Sequence, residues 1–410
     1  MHLSDIHFDA LYGKYPETVR IALKKGIRNT FEKAMDFAIN EELDLVILSG
    51  DICDRDEVSY RTERFVRKQF VRLHENHISV IVLHGNHDPS SQLAWRDMPE
   101  NVHIIKTAKP ETIHMTCRDQ HEVYISCNGF EFKAEADARL EEFPERREGA
   151  YNIGALHSYV ASLGADGGHD PYMTSTLRGL ISKHYDYWAL GHIHKAMIFP
   201  DAQAAYSGCI QGLNANETGP KGGYIVEIES PGSRPNLEFI NLTNIQFETI
   251  ELELDAELDT LHEITGAMLE VISALKIESS NDLTESPEFI IRIKLSGMTP
   301  LYNELKRNKT LEEMMSELCE EEGLLYVEIK TEELMPFIDK SQYVKASPFV
   351  HFIDQVLGDS IQSEAFIAFA SEKDFIDMPS DSVQARVWLK KLIDEVGDEW
   401  FIRLVKTDEN

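Results

Sequence analysis

The sequence predicts an α/β protein of more than one domain, and three observations carry that expectation. Short apolar runs alternate with amphipathic stretches from Met1 to about residue 230. Several of these runs end in Gly, Asp, Asn or His instead of ordinary loop residues. The length, 410 residues, exceeds what one ordinary core fills, so two or three domains are expected.

The chain opens with HLSDIHFD, in which Asp5 and His7 stand two apart and share one face of an extended segment. FEKAMDFAINEE has the spacing of an amphipathic helix. The next run, Leu45-Val46-Ile47-Leu48, is apolar throughout and reads as a buried strand leading straight into Gly50-Asp51. Gly50 allows the sharp turn needed where the backbone leaves a sheet. RTERFVRKQFVRLHEN follows as a second helix. Its Arg61, Arg64, Lys68 and Arg72 form one stripe, with Val66, Phe70 and Leu73 on the opposite, buried side. That stripe is either a solvated face paired with Glu57 and Glu63 or a surface that contacts DNA phosphates. The strand SVIVL ends in HGNHD, which offers Asn86, His87 and Asp88. YNIGAL ends in His157, and YWALGHIH ends in His192 and His194. AAYSGCIQG and GYIVEIES are strand-like, and SPGSRPN is a turn or strand connection.

A first domain is expected over 1–245. From TIELELD onward the pattern is strand, helix (about 256–276), strand (EFIIRIKLSG), helix (about 301–322) and strand (LLYVEIK), a small α+β cap domain over 246–331. Residues 332–410 are expected to form a helical C-terminal segment with Pro336, Pro348 and Pro379 as breakers. Apolar stripes at Phe349, Phe352, Ile353 and Val356, and again around Trp388 and Leu392, are either packed within the chain or open to a partner.

Apolar content is 42%, and no run has the length of a membrane span. The N-terminus lacks the basic start and apolar core of a secretory signal. Five scattered cysteines without a CxxC pair point to reduced thiols in a cytoplasm. The net charge of −31 repels a polyanion at long range, so DNA binding needs bound cations, a local basic surface or a basic partner.

Asp5, His7, Asp51, Asn86, His157, His192 and His194 offer oxygen and imidazole donors without thiolate, a set suited to Mn²⁺, Fe²⁺ or Zn²⁺. They are too many for one ion and suit two, with a carboxylate shared between them.

In order, D-x-H, G-D, G-N-H-D, H and G-H-x-H resemble the calcineurin-like metallophosphoesterase superfamily over about residues 3–200. HLSDIHFD with ILSGDICDRD, and GHDPYMTSTLRGLISKHYDYWALGHIHK followed by YSGCIQGLNANETGPKGGYIVEI, resemble the SbcD/YhaO-like DNA repair exonuclease family. The resemblance implies a four-layer α-β-β-α sandwich carrying the cap and the helical segment. It implies two divalent ions, both Mn²⁺: Asp5, His7 and His194 hold one, Asn86, His157 and His192 hold the other, and Asp51 bridges. It also implies that His87 faces the scissile phosphate and protonates or stabilises the leaving oxygen, with Asp88 orienting that ring. The implied activity is DNA exonuclease, with endonuclease activity left open. The implied partners are DNA and an SMC-like (SbcC-type) ATPase docked by the C-terminal segment, with a homodimer open and no membrane. The alternatives are a phosphodiesterase for small nucleotides and a mainly structural subunit of the ATPase complex. Two departures stand out. Only four residues precede Asp5, so the first strand is short or begins upstream. Leu213-Asn214 occupies the turn where relatives of this branch carry a basic or imidazole pair.

Overall fold

The computed structural model describes residues 1–337, other than 55–57, 92–94, 162–171, 256 and 281–285, together with Gln384. In chain order the first elements are β1 (His2–Leu3), α1 (Glu17–Asn40), β2 (Leu45–Leu48), α2 (Tyr60–Glu75), β3 (Ser79–Leu83) and β4 (Val102–Ile105). Next come β5 (Glu111–Thr116), β6 (Glu122–Cys127), β7 (Tyr151–His157), α3 (Leu177–Ser182), β8 (Tyr187–Gly191), β9 (Met197–Phe199) and β10 (Ala204–Tyr206). β11 (Gly222–Glu227), β12 (Asn236–Asn241), β13 (Ile245–Leu254), α4 (Leu261–Ser280), β14 (Glu288–Thr299), α5 (Tyr302–Leu305), α6 (Asn308–Glu322) and β15 (Tyr326–Pro336) complete them.

Two six-stranded sheets run in the orders β12-β11-β1-β2-β3-β4 and β5-β6-β7-β8-β10-β9. The central strands β2, β3 and β8 are nearly continuous apolar runs because both their faces are covered. Val46 and Leu48 of β2, with Val80 and Val82 of β3, enter one core with Leu23, Phe31, Val66 and Phe70 of α1 and α2. Ile47, Ile81 and Leu83 point the other way and meet Ile125, Ala155, Tyr187 and Ala189 of the second sheet. Trp188 and Leu190 of β8 turn outward again, into a third cluster with Leu180 of α3. Three cores between four layers make this the α-β-β-α sandwich.

Ser59 caps α2, its hydroxyl accepting from the Thr62 amide at 3.2 Å. β1, β2, β3 and β4 are parallel in succession, as are β6, β7 and β8. Parallel pairing brings the C-terminal ends of these strands to a common edge, where α/β sheets place their sites.

β13, β14 and β15 form a third sheet. By contacts the described chain divides into two compact units. One comprises Met1–Ile250, Glu270–Ile293 and Met315–Glu328, and the other Glu251–Leu269, Lys294–Met314 and residues from Ile329 onward. The expected helix at about 301–322 is two helices, α5 and α6, separated at Lys306 and Arg307. β15 continues to Pro336, so the segment after 331 begins as strand and not as helix. Beyond Phe337 and apart from Gln384, the expected helical segment with its apolar stripes lies outside the described residues. Among the described residues no helix is long and apolar enough to cross a membrane.

Candidate metal centre

All seven expected donors lie at the strand-end edge. Asp5 and His7 follow β1, Asp51 follows β2, and Asn86 follows β3. His157 ends β7, and His192 and His194 follow β8. The segments after β1 and β2 stay zipped together past their strands: Asp5 N donates to Gly50 O at 3.1 Å, and the amides of Ile6 and His7 donate to Asp51 O. These bonds hold the backbone of Asp5, His7 and Asp51 at φ of 50°, 53° and 51°, and His192 sits at 100°. Side chains rarely adopt this left-handed region, and clustering of such strain marks sites the surrounding structure over-determines. Gly50, at φ +94°, also makes room, because a Cβ there would lie 2.4 Å from Nδ1 of His157.

The donors converge as two sets. Nε2 of His7 lies 3.1 Å from Nε2 of His194, which is itself 3.9 Å from Asp5 Oδ1. Asn86 Oδ1 lies 3.1 Å from both His157 Nε2 and His192 Nδ1. Asp51 Oδ2 stands between the sets, 3.2 Å from His157 Nε2 and 3.8 Å from His7 Nε2.

The opposite nitrogens fix the tautomers. His157 Nδ1 donates to Ser49 O at 2.8 Å, so in the neutral ring Nε2 presents a lone pair inward. His7 Nδ1 faces Asp54 Oδ1 at 3.0 Å, and His194 Nδ1 faces Glu217 Oε1 at 3.1 Å. Each carboxylate calls for a proton on the Nδ1 it faces, so with both rings neutral two Nε2 lone pairs point at one another across 3.1 Å. A cation in reach of both relieves that repulsion, so the donor chemistry fits divalent metal, with Asp5, His7 and His194 in one set and Asn86, His157 and His192 in the other.

The electrostatics agree. Burial opposes ionisation of Asp51, yet His157 and His7 hold its carboxyl well below the usual range. Burial likewise depresses His157, but Asp51 outweighs it and lifts the imidazole to about 9.

His87 stands apart from the donors. Its side chain is 45% exposed, and its Nδ1 lies 3.2 Å from Asp54 Oδ1. That hydrogen bond raises its pKa above the ordinary imidazole value. The ring is therefore oriented by Asp54, which corrects the role expected of Asp88. Asp88 is fully buried and its carboxylate turns back to the backbone, accepting from Gly85 N at 2.8 Å, Ile52 N at 2.9 Å and Cys53 N at 3.1 Å. It braces the loops that carry Asp51 and Asn86. Asp54 and Glu217 are the two residues that the sequence motifs missed. Asp54 stands within ILSGDICDRD and Glu217 within YSGCIQGLNANETGPKGGYIVEI, but nothing in either stretch marks the residue as the partner of a histidine.

On α2, Val66, Phe70 and Leu73 are buried as expected, joined by Thr62 and Gln69. The basic stripe is only partly free. Arg72 pairs with Asp36 of α1 and lies 4.0 Å from Glu32, so its charge is already met. Arg61, Arg64 and Lys68 are exposed and, with Phe65, Arg67 and Val71, line a groove of about 430 Å³.

Residues 1–196 match the family model of the calcineurin-like phosphoesterases. The chain is similar to YhaO of Bacillus subtilis (strain 168), an uncharacterized metallophosphoesterase, with 29% identity over 79% of this chain and 78% of that one. It is also similar to the DNA double-strand break repair protein Mre11 of Methanocaldococcus jannaschii, with 25% identity over 61% of this chain and 67% of that one. The crystal structure of a dimetal phosphatase from Danio rerio overlaps it with a TM-score of 0.34 and 11% identity, over 57% of this chain and 96% of that one.

Proposed function

We propose that this chain, a calcineurin-like phosphoesterase over residues 1–196, is a two-metal phosphodiesterase that cuts DNA. The observation that carries the proposal is the pair of donor sets sharing Asp51, with the half-exposed His87 beside them. In this proposal the ions are Mn²⁺, and the chain works in the cytoplasm as the exonuclease subunit beside an SMC-like ATPase in DNA repair. DNA as substrate draws on a relative named for double-strand break repair and on the exposed Arg61, Arg64 and Lys68.

Bound divalent ions supply charge to the phosphoryl oxygens and a nucleophile near neutral pH. The rest falls to the side chains. Asp51 keeps the two donor sets at a shared carboxylate. Asp54 holds Nδ1 of His87, which turns Nε2 outward to give a proton to the departing sugar oxygen. Because Asp54 Oδ1 also holds His7 Nδ1, one carboxylate fixes both the proton donor and a metal donor.

Hydrolysis of small nucleotide diesters is the alternative, favoured by the net charge of −31. The test is Mn²⁺-dependent digestion of end-labelled duplex and single-stranded DNA beside bis(p-nitrophenyl) phosphate and cyclic nucleotides. Release of nucleotides from DNA ends is the expected result. Hydrolysis of the small diesters with DNA untouched selects the alternative, and neither activity in metal-loaded protein means a structural subunit.

A further inference from the structure

The two imidazoles of the first donor set each have a carboxylate behind them, while among the described residues His157 Nδ1 in the second set meets the Ser49 carbonyl. An imidazole backed by a carboxylate is a stronger donor, and its tautomer is fixed. For His7 that carboxylate, Asp54, is shared with His87. For His194 it is Glu217.

Glu217 has 18% of its side chain exposed and is heavily bound. Leu213 N donates to Oε2 at 2.8 Å, Asn214 Nδ2 donates to Oε1 at 2.9 Å, and the Cys209 thiol points at Oε2 from 3.6 Å. The loop that delivers it is tied to the first donor set from both sides. Cys209 N donates to His194 O at 3.1 Å, and Cys209 bridges to Ser4, the neighbour of Asp5. Gly208, at φ +74°, permits this approach, since a Cβ there would sit 2.8 Å from His194 O. Farther along, Asn216 Oδ1 accepts from Arg292 at 2.9 Å, and Arg292 Nε donates to Glu328 at 2.7 Å.

We infer that Glu217 is a positioning residue for the first metal set: its carboxylate holds His194 with Nε2 inward, and so sets the affinity of that set without touching the ion. The two sets are then unequal, and the Glu217 loop controls only one of them. This inference rests on the two-metal proposal above, and one experiment separates their failures. Metal-free wild type, Glu217→Ala and Glu217→Gln are titrated with Mn²⁺ by calorimetry, with near-ultraviolet circular dichroism recorded on each. Wild type takes up two ions; uptake of fewer overturns the two-metal proposal whatever the variants do. Glu217→Ala weakens one binding event by roughly 10–100-fold and leaves the other unchanged. Glu217→Gln, whose amide oxygen still accepts from Nδ1–H, keeps the ring's orientation, loses the charge and falls between. Wild-type titration of Glu217→Ala overturns the inference. Equal weakening of both events, or loss of the near-ultraviolet signal, overturns it too, because the residue then serves the fold and not His194.

Discussion

His2 and His157 are equally buried, at 1% and 0% exposure, yet they end in opposite states. His2, on β1, meets the Tyr187 hydroxyl at 2.8 Å through Nδ1, and among the described residues its Nε2 has no hydrogen-bond partner. Burial takes its pKa down to about 3, so it is a neutral ring between the sheets. At His157 the same burial is outweighed by the Asp51 carboxylate 3.2 Å away, and the pKa rises to about 9. Desolvation alone makes an inert core histidine. Desolvation combined with a fixed carboxylate stores charge that a metal ion can replace, and that combination distinguishes a site from a core.

Removing the carboxylate breaks this contrast most severely. Asp51→Asn deprives both donor sets of their shared charge, so uptake falls below two Mn²⁺ and phosphodiester hydrolysis is lost to the limit of detection. Atomic absorption after gel filtration checks the first and a bis(p-nitrophenyl) phosphate assay the second. Normal uptake and turnover in this variant would remove Asp51 from the centre. His87→Ala comes next. It retains both ions while turnover falls by ~10²–10⁴-fold, the range of general acid–base catalysis. Asp54→Asn follows it in the same assay, with metal uptake also weakened through His7.

The pH dependence sharpens the comparison. In metal-free protein the folded pKa of His157 lies above its ordinary 6.5, so its stabilising contribution is fully present below pH 6.5 and is lost as pH rises through about 9. An ion requires the neutral ring, so loading expels that proton and affinity climbs with pH over the same window. Calorimetry in buffers of different ionisation enthalpy should record about one proton released from this group. His2→Asn, by contrast, should leave metal uptake and its proton count unchanged.

The smallest effect belongs to α2. Replacing Arg61 and Arg64 should weaken DNA binding and reduce the slope of log K against log salt by roughly one unit per contact, with small-diester turnover unaltered. Arg72→Ala should leave that slope unchanged, since its guanidinium is held by Asp36. An equal loss from Arg72 would mean general electrostatics instead of a track.

The donors were legible in the sequence because parallel strands buried on both faces end at one edge, and each donor follows such a strand directly. The same runs gave the α/β alternation, and the four layers were an expectation of the family resemblance. β4, β5 and β6 carry no donor at their ends and left no comparable mark. What the motifs could not separate was Asp54 from Asp88, both close to a ligand in sequence. The turn after β3 decides between them by folding Asp88 back onto three backbone amides. Between the two readings of Arg72 the sequence could not choose for a related reason: helical spacing reports which face a residue occupies but not that Asp36 waits on the neighbouring helix. Glu217 lies in a loop after β10, and only three-dimensional closure brings it to His194.

The donors also belong to different sheets. Asp5, His7, Asp51 and Asn86 extend from strands of one, and His157, His192 and His194 from strands of the other. Chelation would therefore bolt the two sheets together at their rim, and the bolt would be absent from the unfolded chain. Ligand bound only by the folded form stabilises it by about 2.7 kcal/mol at a hundred times its dissociation constant. A chain stripped by chelator should melt at lower temperature and yield faster to protease, and Mn²⁺ should reverse both changes. Metal supply would then govern how long each molecule survives as well as how fast it works, so that starvation for the ion clears the protein from the cell instead of leaving it idle.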